Sequence, residues 1–119
     1  MSESVIAELN QRFGIDTRLT FIPGPREIPV AGLKNEYGTA AVALLGAHVL
    51  NYQPWGAEPV LWLSRQARFE PGKAIRGGIP VIWPWFGAHP SDPAMPNHGF
   101  VRTQNWTVSA SQALDDGAL

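Results

Sequence analysis

The sequence contains no cysteine, which excludes a disulfide framework and any thiolate metal site. It also contains no run of about 18 apolar residues that could cross a membrane. Residues 1–14 lack the cationic region and continuous apolar stretch that are typical of an export signal. We therefore expect a cytoplasmic chain that does not bind a membrane.

Neither sign of charge predominates, because the sequence has 9 Lys and Arg and 10 Asp and Glu, which gives a net charge of -1. Such a chain has no overall field that would attract DNA, RNA or an anionic membrane. We therefore expect no nucleic-acid partner, and any anion must be held by local groups. No histidine has a carboxylate at ligand spacing, so no metal site is predicted. Walker, dinucleotide and Gly-x-Ser-x-Gly motifs are also missing.

The pattern of apolar residues predicts an all-β, mainly antiparallel fold with one short N-terminal helix. The helix is predicted at about residues 4–13, where Val5, Ile6, Leu9 and Phe13 share one face, and Gly14 is predicted to end it in the left-handed conformation. From about residue 17 onward, short apolar runs alternate with turn residues about every ten positions, which favours a sandwich or barrel. The predicted strands are 18–22, 29–33, 39–44, 48–53, 60–63, 81–85 and 105–110.

Residues 1–119 are predicted to form a single, incomplete domain. No repeat, low-complexity tract or linker divides them. The segment Asp115-Asp116-Gly117 is typical of a turn that leads into a further strand, so we expect a sheet with an open edge. Unpaired backbone groups on such an edge would allow self-association.

The first candidate for chemistry is the segment 74–80. Gly77 and Gly78 would allow the backbone to approach a ligand closely, and Arg76 could offer a planar fork of donors to a phosphate. The alternative is an ordinary turn beside a solvated arginine.

The second candidate is the aromatic run 81–87. Flat apolar rings suit the C–H faces of a pyranose, so this run could line a ligand pocket. Buried aromatic rings also build cores, and we expect most of this run to lie in the core. Alternation along a strand would give Trp83 and Trp85 the same face and the same environment.

The third candidate is the segment 96–102. His98 and Arg102 are four residues apart, so an extended backbone would place both side chains on one face, with Asn97 beside them. A proton donor active near neutral pH and a fixed cation could then serve one pocket. The alternative is a histidine that only makes structural hydrogen bonds beside a turn.

Taken together, these blocks resemble the hexose-6-phosphate mutarotases of the aldose 1-epimerase superfamily. The order and spacing match over roughly residues 40–108, and two elements carry most of the specificity: Arg76-Gly77-Gly78-Ile79-Pro80 and His98-Gly99-Phe100-Val101-Arg102. Further matching blocks are Gly46-Ala47-His48-Val49, Leu61-Trp62-Leu63-Ser64, Trp83-Pro84-Trp85-Phe86-Gly87 and Trp106.

The resemblance implies a galactose mutarotase-like β-sandwich that interconverts the α and β anomers of an aldohexose 6-phosphate without a metal or organic cofactor. It implies that Arg76 and Arg102 help to bind the phosphate or the sugar and that His98 contacts the sugar ring region. Asn97 and Trp85 are further pocket candidates by the same match.

The resemblance also implies that the glutamate base and the main acid histidine come from the second half of the fold. We therefore expect both beyond Leu119, and we expect this chain to be an N-terminal part that is inactive alone. One alternative is a non-catalytic sugar-phosphate binding module that keeps Arg76 and Arg102 but has lost the base. Another is a purely structural half-sandwich that covers its open edge by self-association.

Overall fold

The computed structural model describes residues 2–70 and 72–119. Four antiparallel strands form one sheet in the order β1-β2-β3-β4, preceded by a single α-helix. This arrangement confirms the prediction of a mainly antiparallel β protein with a short N-terminal helix. The elements are α1 (Ser2–Phe13), β1 (Leu19–Pro23), β2 (Pro29–Lys34), β3 (Gly38–Ala43) and β4 (His48–Pro54), with short 3-10 turns at Pro25–Glu27 and Val101–Thr103.

Helix α1 ends where the sequence predicts, but by a different route. Gly14 does not adopt a positive φ; the left-handed residue is Asp16, at a φ of 43°. Glycine is needed at position 14 because a Cβ there would lie 2.5 Å from the carbonyl oxygen of Asn10. No helix in the part of the chain that the structure describes is long and apolar enough to cross a membrane.

The side chain of Asn10 fastens α1 to the outer edge of β1. Its Nδ2 donates to the carbonyl oxygen of Phe21 at 2.9 Å, and its Oδ1 accepts from the N–H of Phe21 at 2.7 Å. One amide therefore satisfies both backbone groups of a strand residue, as a neighbouring strand would. Ile15 and Leu19 add two backbone hydrogen bonds on the same side.

The sheet matches four of the seven predicted strands, and the other three predictions are wrong. Segments 60–63, 81–85 and 105–110 are irregular, and each makes one isolated bridge: Leu63 with Gly77, Trp83 with Gly99, and Leu45 with Asn105. A strand needs several consecutive partners. Within the described residues each of these segments makes one bridge and no ladder of consecutive pairs.

The hydrophobic core lies between the sheet and the irregular segment that follows it. Val30, Ala43 and Leu50 come from three strands, and they pack with Phe69 and Ile75 from the irregular segment. Residues 63–70 and 72–75 therefore cover one face of the sheet without forming a second sheet. This packing fixes the position of the residues that follow Ile75.

Backbone hydrogen bonds cover part of each edge of the sheet. Asn10 occupies the β1 edge, and Val49 exchanges two backbone bonds with Ile79 on the β4 edge, at 3.0 and 2.9 Å. The predicted self-association through an open edge is not tested by this geometry and stays a prediction.

Candidate functional site

A polar cleft collects four of the five residues that the sequence singles out. Its volume is about 510 Å³, and its lining includes Arg76, Asn97, His98 and Arg102. The remaining lining residues are Ala74, Ile75, Gly77, Gly78 and Pro80. The first and third sequence candidates thus meet at one place, although about twenty residues separate them along the chain.

Two features hold the backbone of Arg76 in place: the buried residue before it and a hydrogen bond to its carbonyl group. The side chain of Ile75 is buried in the core, and the carbonyl oxygen of Arg76 accepts a 3.0 Å hydrogen bond from the N–H of Ser64. The guanidinium itself belongs to an exposed residue at the cleft. Within the described residues it has no carboxylate within salt-bridge distance, so it is free to bind an anion.

The paired glycines are required by packing within the protein itself. A Cβ on Gly77 would lie 2.4 Å from the carbonyl oxygen of Trp62, and one on Gly78 would lie within 2.1 Å of the carbonyl oxygen of Val49. Both residues also have a positive φ, of 101° and 63°. The turn is therefore wedged between β4 and residues 62–64, which explains both glycines without a ligand.

His98 has a strained backbone and a defined ring orientation. Its φ is 65°, which is uncommon for a residue other than glycine. The Nδ1 atom accepts a 2.9 Å hydrogen bond from the N–H of Gly87, while the N–H of His98 donates to the carbonyl oxygen of Gly87 at 2.8 Å. A neutral imidazole that accepts at Nδ1 carries its proton on Nε2. Nε2 has no hydrogen-bond partner among the described residues.

Arg102 lines the same cleft as the glycine turn, and a hydrogen bond ties its side chain to its own loop. One terminal nitrogen donates to the carbonyl oxygen of Asn97 at 3.0 Å. The Nε atom is buried and lacks a partner within the described part of the chain. This hydrogen bond places the backbone of Asn97 and the Arg102 guanidinium together at one wall of the cleft.

Trp85, the fifth predicted site residue, does not line the cleft. Its ring packs edge-on against His89 and Phe100, at centroid distances of 4.5 and 4.9 Å, and its Nε1 donates to the carbonyl oxygen of Pro96. These contacts hold the loop that carries Asn97, and they lie outside the cleft. The contacts of its indole are with the protein, and a role of Trp85 in binding stays a prediction.

The aromatic run also departs from the predicted core placement. Trp83 is 66 % exposed and Phe86 is 80 % exposed, while Trp85 is half-buried. Trp83 and Trp85 therefore do not share one environment, since the segment is not a regular strand whose side chains alternate. The ring of Phe86 lies 4.9 Å from that of His98 and forms one side of its surroundings.

A second cleft of about 490 Å³ adjoins the first. Its lining is Gln66, Arg68, Lys73, Ala74 and Arg76, so the two clefts share Ala74 and Arg76. Neither lining contains a carboxylate. The surface on both sides of Arg76 therefore carries only positive side chains and neutral groups, which favours an anionic ligand.

His48 lies beneath the glycine turn, and sequence reasoning did not connect it with the site. It is 1 % exposed, and its Nε2 is 2.5 Å from the carbonyl oxygen of Gly77. Burial lowers the pKa of His48 below its usual range, the hydrogen bond to Gly77 opposes this, and the charge of Arg102 adds to the lowering. The sequence signals were a polar residue in the apolar run 46–50 and its place in the matching block Gly46-Ala47-His48-Val49.

The arrangement can bind an anion and donate a hydrogen bond, but its lining offers no carboxylate as a proton acceptor. Two arginines supply positive charge and geometric selectivity for a phosphate. The Nε2–H of His98 supplies a donor. In the part of the chain described here, no three His, Cys, Asp or Glu side chains lie close enough to hold a metal ion.

The sequence profile of the aldose 1-epimerase family matches residues 29–119. The chain belongs to the aldose 1-epimerase family. The match begins at β2 and includes every residue of the cleft.

Two bacterial relatives support this assignment. A protein of Salmonella typhimurium strain LT2 named "Putative glucose-6-phosphate 1-epimerase" is 45% identical over 80 residues, which cover 67% of this chain and 27% of the relative. A protein of the same name in Escherichia coli K12 is 49% identical over 78 residues, which cover 66% of this chain and 26% of the relative. The chain thus spans about a quarter of the length of these curated relatives.

A solved structure shares the fold. The crystal structure of a "putative mutarotase" from Salmonella typhimurium superposes with a TM-score of 0.78 at 32% identity, covering 93% of this chain and 38% of that one. The matched portion includes the irregular segments as well as the sheet. The likeness therefore extends beyond the four-stranded sheet.

Proposed function

We propose that the polar cleft binds an aldohexose 6-phosphate, and that the complete gene product interconverts the α and β anomers of this sugar. The observation that carries the proposal is the convergence of Arg76, Asn97, His98 and Arg102 on one cleft. Relatives named as glucose-6-phosphate 1-epimerases supply the substrate class.

In this proposal the two arginines bind the phosphate. Arg76 has no carboxylate partner within the described residues, and the lining of both neighbouring clefts contains only positive or neutral side chains. A charged hydrogen bond to phosphate contributes about 1.5 to 3 kcal/mol. A contribution of this size is enough to make a phosphorylated sugar bind more tightly than the free sugar.

His98 would act on the sugar ring. Anomer interconversion needs a base that removes the proton of the anomeric hydroxyl and an acid that protonates the ring oxygen, so that the ring opens to the aldehyde and recloses. The Nδ1 bond to Gly87 leaves the protonated Nε2 of His98 available to the cleft. We assign it the contact with the ring region, where it stabilises negative charge that develops on oxygen.

The proton acceptor must come from elsewhere, because no carboxylate lines the cleft. We propose that the glutamate base and the main acid histidine lie in the part of the fold that follows residue 119 in the longer relatives. On this basis the 119-residue chain alone would bind sugar phosphate without catalysing its anomerisation. We propose a cytoplasmic location, because a cysteine-free chain is suited to a reducing compartment.

A titration followed by ¹H–¹⁵N NMR tests the binding half of the proposal. Glucose 6-phosphate added to the complete gene product should shift the amide signals of Gly77, Gly78, His98 and Arg102. Inorganic phosphate should shift those near the arginines only, and glucose should act more weakly. If glucose 6-phosphate shifts none of these signals, the cleft is not its binding site.

A further inference from the structure

The buried ring of His48 makes a single directed contact with the cleft wall. Its Nε2 lies 2.5 Å from the carbonyl oxygen of Gly77, and because a carbonyl can only accept, Nε2 carries the proton. Nδ1 is then an acceptor, buried and without a partner among the described residues. A fully buried polar side chain with one bond satisfied and one unsatisfied is costly for a core position.

The same ring also fixes the turn sterically. A Cβ on Gly78 would lie 3.0 Å from Nε2 and 3.1 Å from Cδ2 of His48. On the other side of the turn, the N–H of Gly78 donates to the carbonyl oxygen of Trp62 at 2.7 Å. The turn therefore packs against the imidazole on one side and against residues 62–64 on the other.

The turn carries Arg76 and forms one wall of the cleft, while Arg102 belongs to another. The charge of Arg102 opposes protonation of His48, as burial does. Neutral His48 can sit below two pocket arginines without adding a third positive charge. An apolar residue of similar size would leave the Gly77 carbonyl without this donor, and a lysine or arginine would repel the guanidinium.

We propose that His48 is a positioning residue: its Nε2–H holds the Gly77–Gly78 turn, and through the turn Arg76, in the conformation that receives the phosphate of the substrate. His48 does not touch the substrate. The kinetic part of this inference rests on the proposed function; the part that concerns the turn does not.

Two substitutions in the complete gene product separate the hydrogen bond from simple packing. His48→Gln retains an N–H donor at about the reach of Nε2, whereas His48→Leu fills the site without a donor. Leu50→Ala is the matched control, because it opens a cavity in the same strand. We expect His48→Leu to raise KM for glucose 6-phosphate by about tenfold with kcat little changed. His48→Gln should recover most of this loss, and Leu50→Ala should leave KM unchanged.

Hydrogen exchange of the Gly78 and Ile79 amides provides a readout that needs no activity. We expect faster exchange of these two amides, relative to the amides of β4, in His48→Leu but not in His48→Gln or Leu50→Ala. If all three variants behave alike, or if His48→Leu leaves the two amides unchanged, the positioning role is overturned. If the unsubstituted protein does not anomerise the sugar, the proposed function fails, and the exchange pattern still decides the role of His48.

Discussion

The Nδ1 atom of His98 accepts a hydrogen bond of 2.9 Å from the backbone N–H of Gly87. Gly87 belongs to the aromatic run and His98 to the loop that follows it, so this contact orients the imidazole across two segments. It also selects the tautomer, because a ring nitrogen that accepts from an N–H cannot carry a proton of its own. The remaining donor of the neutral ring is Nε2.

The first prediction concerns that tautomer. Long-range ¹H–¹⁵N NMR of the neutral His98 ring should show a protonated Nε2 and an unprotonated Nδ1. The spectrum of the protein unfolded in urea, in which Gly87 no longer donates to the ring, provides the comparison and should show a mixture of tautomers. A ring protonated mainly at Nδ1 in the unsubstituted protein would contradict the orientation described here.

The second prediction concerns phosphate selectivity. Arg76→Ala should weaken binding of glucose 6-phosphate by about 10- to 100-fold, because a charged hydrogen bond to phosphate is lost. Binding of free glucose should change much less. Arg65→Ala is the matched control, since Arg65 is exposed and lines neither cleft. Calorimetry with both sugars measures this difference, and equal losses for the two sugars would defeat the phosphate role.

The third prediction concerns the glycine turn. Gly78→Ala should lower the free energy of unfolding by about 2 to 4 kcal/mol, because the new Cβ would collide with the backbone of Val49. Gly56→Ala shares the positive φ, 77°, but meets no atom within 4 Å. It should therefore cost only about 1 kcal/mol. Similar costs in urea unfolding would show that the turn is not wedged as described.

The fourth prediction concerns pH. Burial lowers the pKa of His48 below its ordinary value of 6.5. His48 is therefore protonated at a lower pH in the folded chain than in the unfolded chain. The stability that neutral His48 contributes is fully present above the unfolded pKa and is lost as pH falls below it. Urea unfolding between about pH 7.5 and pH 5.5 should show a steeper decline for the unsubstituted protein than for His48→Gln. Parallel curves would exclude His48 as the titrating group.

The elements that could be predicted from the sequence are those whose pattern lies within one short segment of the chain. Strands β1 to β4 alternate or run apolar between turn residues, and the two motifs around Arg76 and His98 point to cleft residues through their resemblance to the family. Helix α1 follows from apolar spacing alone. These features depend on residues within one element or one turn.

The remaining features depend on partners that are distant in the chain. The segment 81–85 has the composition of a strand, yet Trp83 pairs at one point only, with Gly99. Trp85 is directed by His89 and Phe100, and no single-sequence pattern reports those contacts. The amide of Asn10 pairs with Phe21, and His48 supports Gly77, because the fold brings them together.

The measurement that most directly tests the central claim is the rate of exchange between the α and β anomers of glucose 6-phosphate, followed by NMR saturation transfer. The complete gene product should accelerate this exchange, and His98→Phe should reduce the acceleration. The 119-residue chain should leave the uncatalysed rate unchanged. If the complete gene product binds glucose 6-phosphate at the cleft but does not accelerate exchange, the account is contradicted and the protein is a sugar-phosphate binding module.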